Sequence, residues 1–596
     1  MSDYDVAIVG AGIAGSILAK HLSQKGKSVV VLEAGGRTAN TWPEYQANVE
    51  RYQAAEAKVP NSPFPSTGGA PSPDVLDIGR MQPGGPPSDT GYFVQYGPVA
   101  FGSDYLRSAG GTTLHWLGTS LRFTPADFEL QKRYGRGVDW PIKYDDLEPD
   151  YGRAEWEIGV SADVADQQYC GIKFAKGYDY PMQRIPLSWA DQWAAKGLDG
   201  KKVLLDGKQV AVRVTSTPQG RNSIPNAGYE PVGAVGAPHR GLRCEGNSSC
   251  IPICPVQAKY NALKTLTQAV ESGAVVRTQC LVTRVIHDGS TGDVKALEYL
   301  PYEGGLLSTV APERVTADVY VLAGNAIENA RLLLASKITD TSGELGCNLM
   351  DHPFLLFWGR APEPIGPYRG PSSTAGIEVL RDGPFRKDRA AFRVELGNWG
   401  WYLAAGGPWT DVEGAIRDEG LFGADLRETL GDRVARQFRF GPLIEQLPSK
   451  KNQVTLDGRY LDPLGQPRPV IRYEVDDYTK AGMAAAEDLC TQALDLLGVD
   501  QLTRFTDPGT GQYAVYNGKP YAWMGAGHVV GTHRMGPTAE KGVVDSRQRV
   551  WRHQNLYAAG AGSMATLATG NPTLTLAALT FRTLDAILDD LGGRPA

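Results

Sequence analysis

The chain has 596 residues, of which 21% are charged, and a formal net charge of −6 at pH 7. That balance excludes a basic nucleic-acid face and a disordered acidic tail, and the length exceeds one ordinary core, so two intertwined domains are expected. The 71 glycines and 40 prolines show no repeat, and no stretch approaches the roughly 20 apolar residues that span a bilayer, so long ordered loops are expected rather than low complexity or a membrane helix.

The chain runs from Met1-Ser2-Asp3-Tyr4 directly into an apolar strand, with no charged and apolar leader before it, so no signal peptide is expected. Residues Asp5–Gly15 read DVAIVGAGIAG: a strand, a Gly-x-Gly-x-x-Gly turn and the start of a helix through Lys20 and His21. A second strand, Val29–Leu32, ends at Glu33, eighteen residues past Gly15. Each part has a job in holding a dinucleotide. Gly10 makes the tight turn, Gly12 lets the backbone approach a pyrophosphate, and Gly15 lets helix and strand pack closely. The helix N-terminus offers partial positive charge, and Glu33 accepts hydrogen bonds from a ribose.

Residues 37–100 are rich in Pro, Gly and Tyr with little periodicity and read as a long ordered excursion. Helices and loops mix over 125–240, punctuated by Trp140-Pro141 and the acidic run Tyr144–Glu148. Of seven cysteines, Cys170, Cys280, Cys347 and Cys490 stand alone and read as small buried hydrophobes. The other three, Cys244, Cys250 and Cys254, form C-x5-C-x3-C-P on a Gly/Pro-shaped loop with no histidine nearby at zinc-finger spacing. By spacing alone, the loop reads either as an iron–sulfur site lacking one protein ligand or as unligated thiols. From Ala258 a helix leads into strand-like runs at 274–277 and 281–287, followed by a strand at 319–322 and a helix at 327–334. Residues 354–520 alternate strand-like and turn-rich segments, a plausible sheet carrying a substrate pocket. The final 70 residues return to a strand at 555–560 and a helix from about Asn571, so a nucleotide-binding half assembled from both chain ends is expected.

Taken together, these motifs resemble the glucose–methanol–choline (GMC) flavoprotein oxidoreductases. The likeness adds Gly110–Trp116, Asp139–Ile142, Asn348–Pro353, His528–Thr532 and Asn571–Thr575, in order, to the opening fingerprint. Within the family it is similar to the large subunits of bacterial sugar dehydrogenases, and also to pyranose oxidases. The resemblance implies a mixed α/β GMC fold with a Rossmann-like FAD-binding domain and a discontinuous substrate domain built on a β-sheet. The expected division is 1–125, 240–350 and 521–596 for FAD, with 126–239 and 351–520 for substrate. It implies FAD rather than NAD, held by Gly10, Gly12, Gly15, Glu33, Gly110, Gly111, Thr112, Thr113, His115, Gly560 and Ala561. His115 stands where pyranose oxidases attach their flavin covalently; a link or an unlinked histidine beside the flavin both stay open. The cysteine loop corresponds to one that holds a [3Fe–4S] cluster, with Glu245 standing where several relatives carry a further cysteine.

Alcohol oxidation needs a neutral base at the reacting hydroxyl, which suits an imidazole. His528 occupies the family's base position and Asn571 that of its partner. His533 is a rival read as packing, and His352 is read as a hydrogen bonder that orders its loop. The leading expectation is an FAD-dependent dehydrogenase that oxidises a secondary or anomeric sugar hydroxyl and sends electrons through the cluster to a cytochrome or dye. An oxygen-using pyranose oxidase and a non-redox lyase are the alternatives. The resembled enzymes are exported with a small subunit bearing the twin-arginine signal and commonly pass electrons to a multihaem cytochrome. A periplasmic, membrane-associated location is therefore expected, with a cytoplasmic enzyme as the alternative. Aromatic runs at 398–402 and 521–523 suit sugar stacking or core anchoring equally.

Overall fold

A computed structural model of the chain describes residues 2–36, 41–54, 88–89, 91–103, 105–114, 116–231, 233, 241–246, 254–302, 311–367, 369–398, 408–506 and 511–592. His115 and Cys250 lie outside the described residues.

The apolar runs at both chain ends form one parallel sheet of five strands. Its order is Leu556–Ala558, Ala317–Leu322, Tyr4–Val9, Val29–Leu32 and Val275–Arg277. Val6 sits between Val319 and Val29, so the first hydrophobic run in the chain is the sheet's centre. Strands covered on both faces need continuous rather than alternating apolar residues, which is what Val29–Leu32 supplies. The helix Ile13–Gln24 packs against helices Ala262–Glu271 and Thr573–Gly592. Helix Tyr144–Ile158 packs on Thr573–Gly592, tied to it by the Tyr151 hydroxyl at 2.8 Å from Thr575 Oγ1.

The second sheet is antiparallel and has its own core. Asp500–Gln501, Phe357–Arg360, Gln437–Ile444, Phe392–Leu396, Ala375–Ile377 and Val214–Ser216 lie side by side. Pro353–Phe354 pairs with both Gln437–Ile444 and Met524–Gly525. Gln437–Ile444 is buried along its whole length. Buried charges in this layer are paired: Arg386 meets Asp127 at 2.8 Å and also Glu445, while Arg393 meets Glu378 at 3.0 Å.

Several features depart from the sequence reading, among them the helices Pro408–Arg417 and Gly423–Arg436 in the stretch read as strands and turns. Trp42–Ala54 is a helix inside the stretch read as irregular. Its signal is local: the Thr41 N–H donates to Glu44 Oε2 at 3.0 Å, and Pro43 falls in the first turn. Asp477–Leu496 is a helix of 20 residues within the stretch read as strands and turns. Asp476 caps it, accepting from Thr479 N–H at 2.9 Å, and Met483, Ala486, Leu489, Cys490 and Ala493 give it one buried stripe. Of the four isolated cysteines, Cys280 and Cys490 are buried, but Cys170 and Cys347 are only partly covered.

Helix and strand approach so closely at the first turn that a Cβ on Gly15 would sit 2.0 Å from the Gly10 carbonyl oxygen. Gly15→Ala is therefore expected to destabilise the fold by roughly 1–3 kcal/mol, as overpacking does. Thermal denaturation reads this directly; an unchanged melting temperature would contradict the packing assigned to Gly15.

Candidate active site

Ligands of open α/β sheets bind outside the carboxyl ends of the strands, where the strand order reverses. Here that place is a cavity of about 580 Å³, with Phe354, Glu395 and Leu443 of the antiparallel sheet on one side. Its walls include Gly10 and Gly12 after the first strand, Glu33 after the second, Ala323–Asn325 after the fourth in chain order, and Gly560 after the last.

At this end the three fingerprint glycines act in three different ways. Gly10 has φ +100°, which favours glycine, and its Cβ would strike Ala323 O at 2.9 Å. A Cβ at Gly12 would meet nothing within 4 Å, so that face lies open to the cavity. Gly15 does not line the cavity; it lets the helix sit on the strand. As N-cap, Gly12 supplies no side-chain hydrogen bond, and the first turn holds no acid, so its N–H groups are available to an anion. Glu33 is buried, and burial raises its carboxyl above the usual range. Its two oxygens accept from Ala11 N–H at 2.7 Å and Gly35 N–H at 2.8 Å, which ties the glycine turn to the second strand.

Further along, the loop Gly110–Leu114 forms part of the floor. Gly111, Thr112 and Thr113 line the cavity, whereas Gly110 lies behind it and donates its N–H to Ala11 O at 2.9 Å. The Thr113 hydroxyl is engaged within the loop, donating to Gly110 O at 2.6 Å and accepting from Ala262 N–H at 2.9 Å. Thr112 is thus the threonine whose hydroxyl is better placed to face a ligand. Open glycine backbone, an uncapped helix start, a ribose-reading acid and a floor loop on one cavity fit FAD.

His528 and Asn571 share the cavity wall, with Asn571 Nδ2 at 3.1 Å from His528 Nε2. Asn571 Oδ1 is buried and has no hydrogen-bond partner among the described residues. On its other side His528 Nδ1 lies 2.7 Å from Nδ1 of the fully buried His352, whose Nε2 is 2.6 Å from Ala568 O. Burial, then His352 and Arg393, hold His528 well below the usual imidazole value, and burial pushes His352 down to about 4. Asp351, pushed up to about 6 by burial, accepts from the backbone N–H of His528 at 2.9 Å and of Ala526 at 3.1 Å, and from the Ser103 hydroxyl. His533 does not line this cavity. It fills space that Gly562 leaves open, where a Cβ would come within 2.0 Å of its ring.

Sequence reading missed Glu395, whose carboxylate reaches the cavity wall from the antiparallel sheet and accepts from Ser373 Oγ at 2.5 Å. Its signal was present: Arg393 and Glu395 are charges inside a fully buried strand. Tyr521 and Trp523 belong to the second core, not to the cavity, and residues 399–402 fall outside the described chain.

Cys244 and Cys254 line a second, small cavity together with Arg221 and Lys259. The buried Lys264 lies beside Cys254 and is pushed down to about 7, first by burial and then by Lys259, against the opposing influence of Cys254. The two cavities share a wall: Lys259 Nζ donates to Trp116 O at 2.5 Å, and Trp116 Nε1 donates to Tyr260 O at 2.8 Å.

Residues 110–354 and 448–580 match the two family models described as GMC oxidoreductase, and residues 8–58 match one described as NAD(P)-binding Rossmann-like domain. The chain belongs to the GMC oxidoreductase family and is an FAD-dependent enzyme acting on CH–OH groups. It is 30% identical to the fructose dehydrogenase large subunit of Gluconobacter japonicus over 98% of both chains. It is 26% identical to the 6'''-hydroxyparomomycin C oxidase of Streptomyces lividus over 99% of this chain and 92% of that one. Pyridoxine 4-oxidase from Mesorbium loti shares the fold with a TM-score of 0.59 at 18% identity, over 98% of this chain and 99% of that one.

Gly12→Val puts a side chain into open cavity rather than into protein. The variant is expected to fold, by circular dichroism, while FAD binding weakens by at least about tenfold, equivalent to ~1.4 kcal/mol. Full FAD retention after gel filtration would contradict the phosphate approach assigned to Gly12.

Proposed function

We propose that the enzyme is an FAD-dependent dehydrogenase of a sugar or glycoside, oxidising a secondary or anomeric hydroxyl with His528 as base and Asn571 as its partner. The observation that carries the reading is this pair on the cavity wall, with Asn571 Oδ1 buried and lacking a partner. A buried polar atom without a partner is costly, so the site favours a ligand that brings hydroxyls to it. FAD, when bound, supplies the hydride acceptor. His528 Nε2 takes the hydroxyl proton as the carbinol C–H bond breaks, and the Asn571 amide holds the substrate oxygen in line with it. The sugar class is supported by the fructose dehydrogenase relative.

His528→Ala and Asn571→Ala are expected to retain FAD but reduce it more slowly with sugar, by roughly 10²–10⁴-fold for loss of the base. The pH dependence has a defined sign. Burial disfavours the protonated ring, so the base is neutral at pH 7, and activity is lost only as pH falls below the usual histidine value of about 6.5. Anaerobic stopped-flow flavin reduction across pH checks both. A wild-type rate in His528→Ala, or an acid limb above neutrality, would remove His528 from the role.

For the electron exit, the proposal is a [3Fe–4S] cluster held by Cys244, Cys250 and Cys254. It is supported by Cys244 and Cys254 meeting on one small cavity. Cys244→Ser or Cys254→Ser should lose iron and acid-labile sulfide and slow reduction of a cytochrome, while sugar still bleaches the flavin. An iron-free wild-type preparation would instead favour the second reading, an oxygen-using oxidase, for which the Streptomyces lividus relative speaks. The relative's name as a large subunit supports a partner subunit; the proposal extends this to a small twin-arginine-bearing partner, a multihaem cytochrome acceptor and a periplasmic, membrane-associated location. Cell fractionation with co-purification tests that assignment.

A further inference from the structure

The base pair at the cavity wall is the visible end of a longer hydrogen-bonded line. His352 is completely buried, and each of its ring nitrogens has one close partner: Ala568 O at 2.6 Å from Nε2 and His528 Nδ1 at 2.7 Å from Nδ1. The two rings stand perpendicular, with centroids 5.0 Å apart. A carbonyl oxygen can only accept, so the proton on His352 sits at Nε2. Burial keeps that ring neutral, which leaves Nδ1 as an acceptor. Among the described residues the group offered to it is His528 Nδ1, so His528 carries its own proton there. A neutral His528 protonated at Nδ1 has a bare Nε2, and Nε2 is the nitrogen turned toward Asn571 and the cavity.

We infer that His352 is a positioning residue that fixes the tautomer of His528, so that the nitrogen facing the substrate is always the one without a proton. This rests on the reading of His528 as the base and goes beyond it by assigning what makes that nitrogen available. In the alternative tautomer, with the proton at Nε2, His528 would present a donor to the hydroxyl it has to deprotonate, and Nδ1 would confront His352 lone pair to lone pair. The charged groups around the line agree with neutral rings. Arg393 disfavours protonation of both imidazoles. Asp351, the neighbour of His352, is engaged by Ser103 and by the backbone N–H groups of Ala526 and His528, not by either ring. Asp351 therefore secures the backbone of the base, and His352 secures its ring.

The test uses the FAD-loaded enzyme labelled with ¹⁵N-histidine. In the wild type, the His528 resonances should report a protonated Nδ1 and an unprotonated Nε2. His352→Leu should lose that pattern and reduce the flavin roughly 10- to 100-fold more slowly, short of the roughly 10²–10⁴-fold expected for loss of the base itself. Sugar binding should change far less than the rate. His352→Gln should recover part of the rate, because its amide can donate to Ala568 O while its oxygen accepts from His528 Nδ1. A wild-type spectrum with His528 protonated at Nε2 would overturn the inference and needs no variant. So would an unaltered reduction rate in folded, FAD-containing His352→Leu when His528→Ala is inactive. If His528→Ala proved fully active, the base assignment would fall, and the wild-type spectrum would still judge the tautomer.

Discussion

The active site depends on the strand Leu556–Ala558 lying beside Ala317–Leu322 at the edge of the parallel sheet. That one pairing, between stretches more than two hundred residues apart, delivers Gly560 and Ala561 to the cavity and sets the path of the chain to Asn571. The opposite wall depends on a second distant pairing, in which Met524–Gly525 meets Pro353–Phe354 and so brings the segment before His528 beside Asp351 and His352. Both closures carry a loop-entropy cost, offset by the burial of continuous apolar strands on either side. The cavity is therefore a product of the whole chain.

Two buried acids at this site, Glu33 and Asp351, are held differently from Glu328, which lines the same cavity and is ion-paired with Arg107 at 2.7 Å and Arg331 at 2.6 Å. Glu33 and Asp351 are buried and draw their closest hydrogen bonds from backbone N–H groups, with the Ser103 hydroxyl added at Asp351. Arg386 with Asp127 and Glu445, or Arg122 with Glu155 at 2.7 Å, are instead direct ion pairs in the surrounding core. The difference has a chemical consequence. Backbone donors fix a carboxylate and its loop without setting a mobile cation beside the base, whose neutrality the proposed reaction needs. Low polarity works in the same direction, since it raises the cost of charging His528 and His352 alike.

The wall between the two cavities is built with the same economy of parts. Lys259, on the cysteine side, donates to the carbonyls of Leu114 and Trp116, and the Trp116 indole returns a hydrogen bond to Tyr260 O. The loop on the cavity floor and the segment that follows the cysteines thus hold each other in place. Glycine at 220 makes this contact possible, since a Cβ there would press on Ile158 at 2.9 Å and on the Trp116 ring at 3.2 Å.

Much of this was legible in the residues themselves. The spacing of Gly10, Gly12, Gly15 and Glu33 specified a dinucleotide turn because local backbone geometry and side-chain size decide that element almost alone. The ordered motifs from Gly110 to Asn571 identified the family and its FAD. Capping signals at Thr41 and Asp476 are equally local and mark two helices that hydrophobic periodicity alone does not show. What the sequence by itself did not determine was which polar groups meet. Glu395 reads as one acid among 66 acidic residues until the antiparallel sheet turns it toward the cavity. Likewise, His352 reads as a loop residue until Ala568 and His528, 216 and 176 positions away, arrive at its two nitrogens. Hydrogen bonds are directional and act over about 3 Å, so their partners are settled only when tertiary packing has fixed distance and angle together.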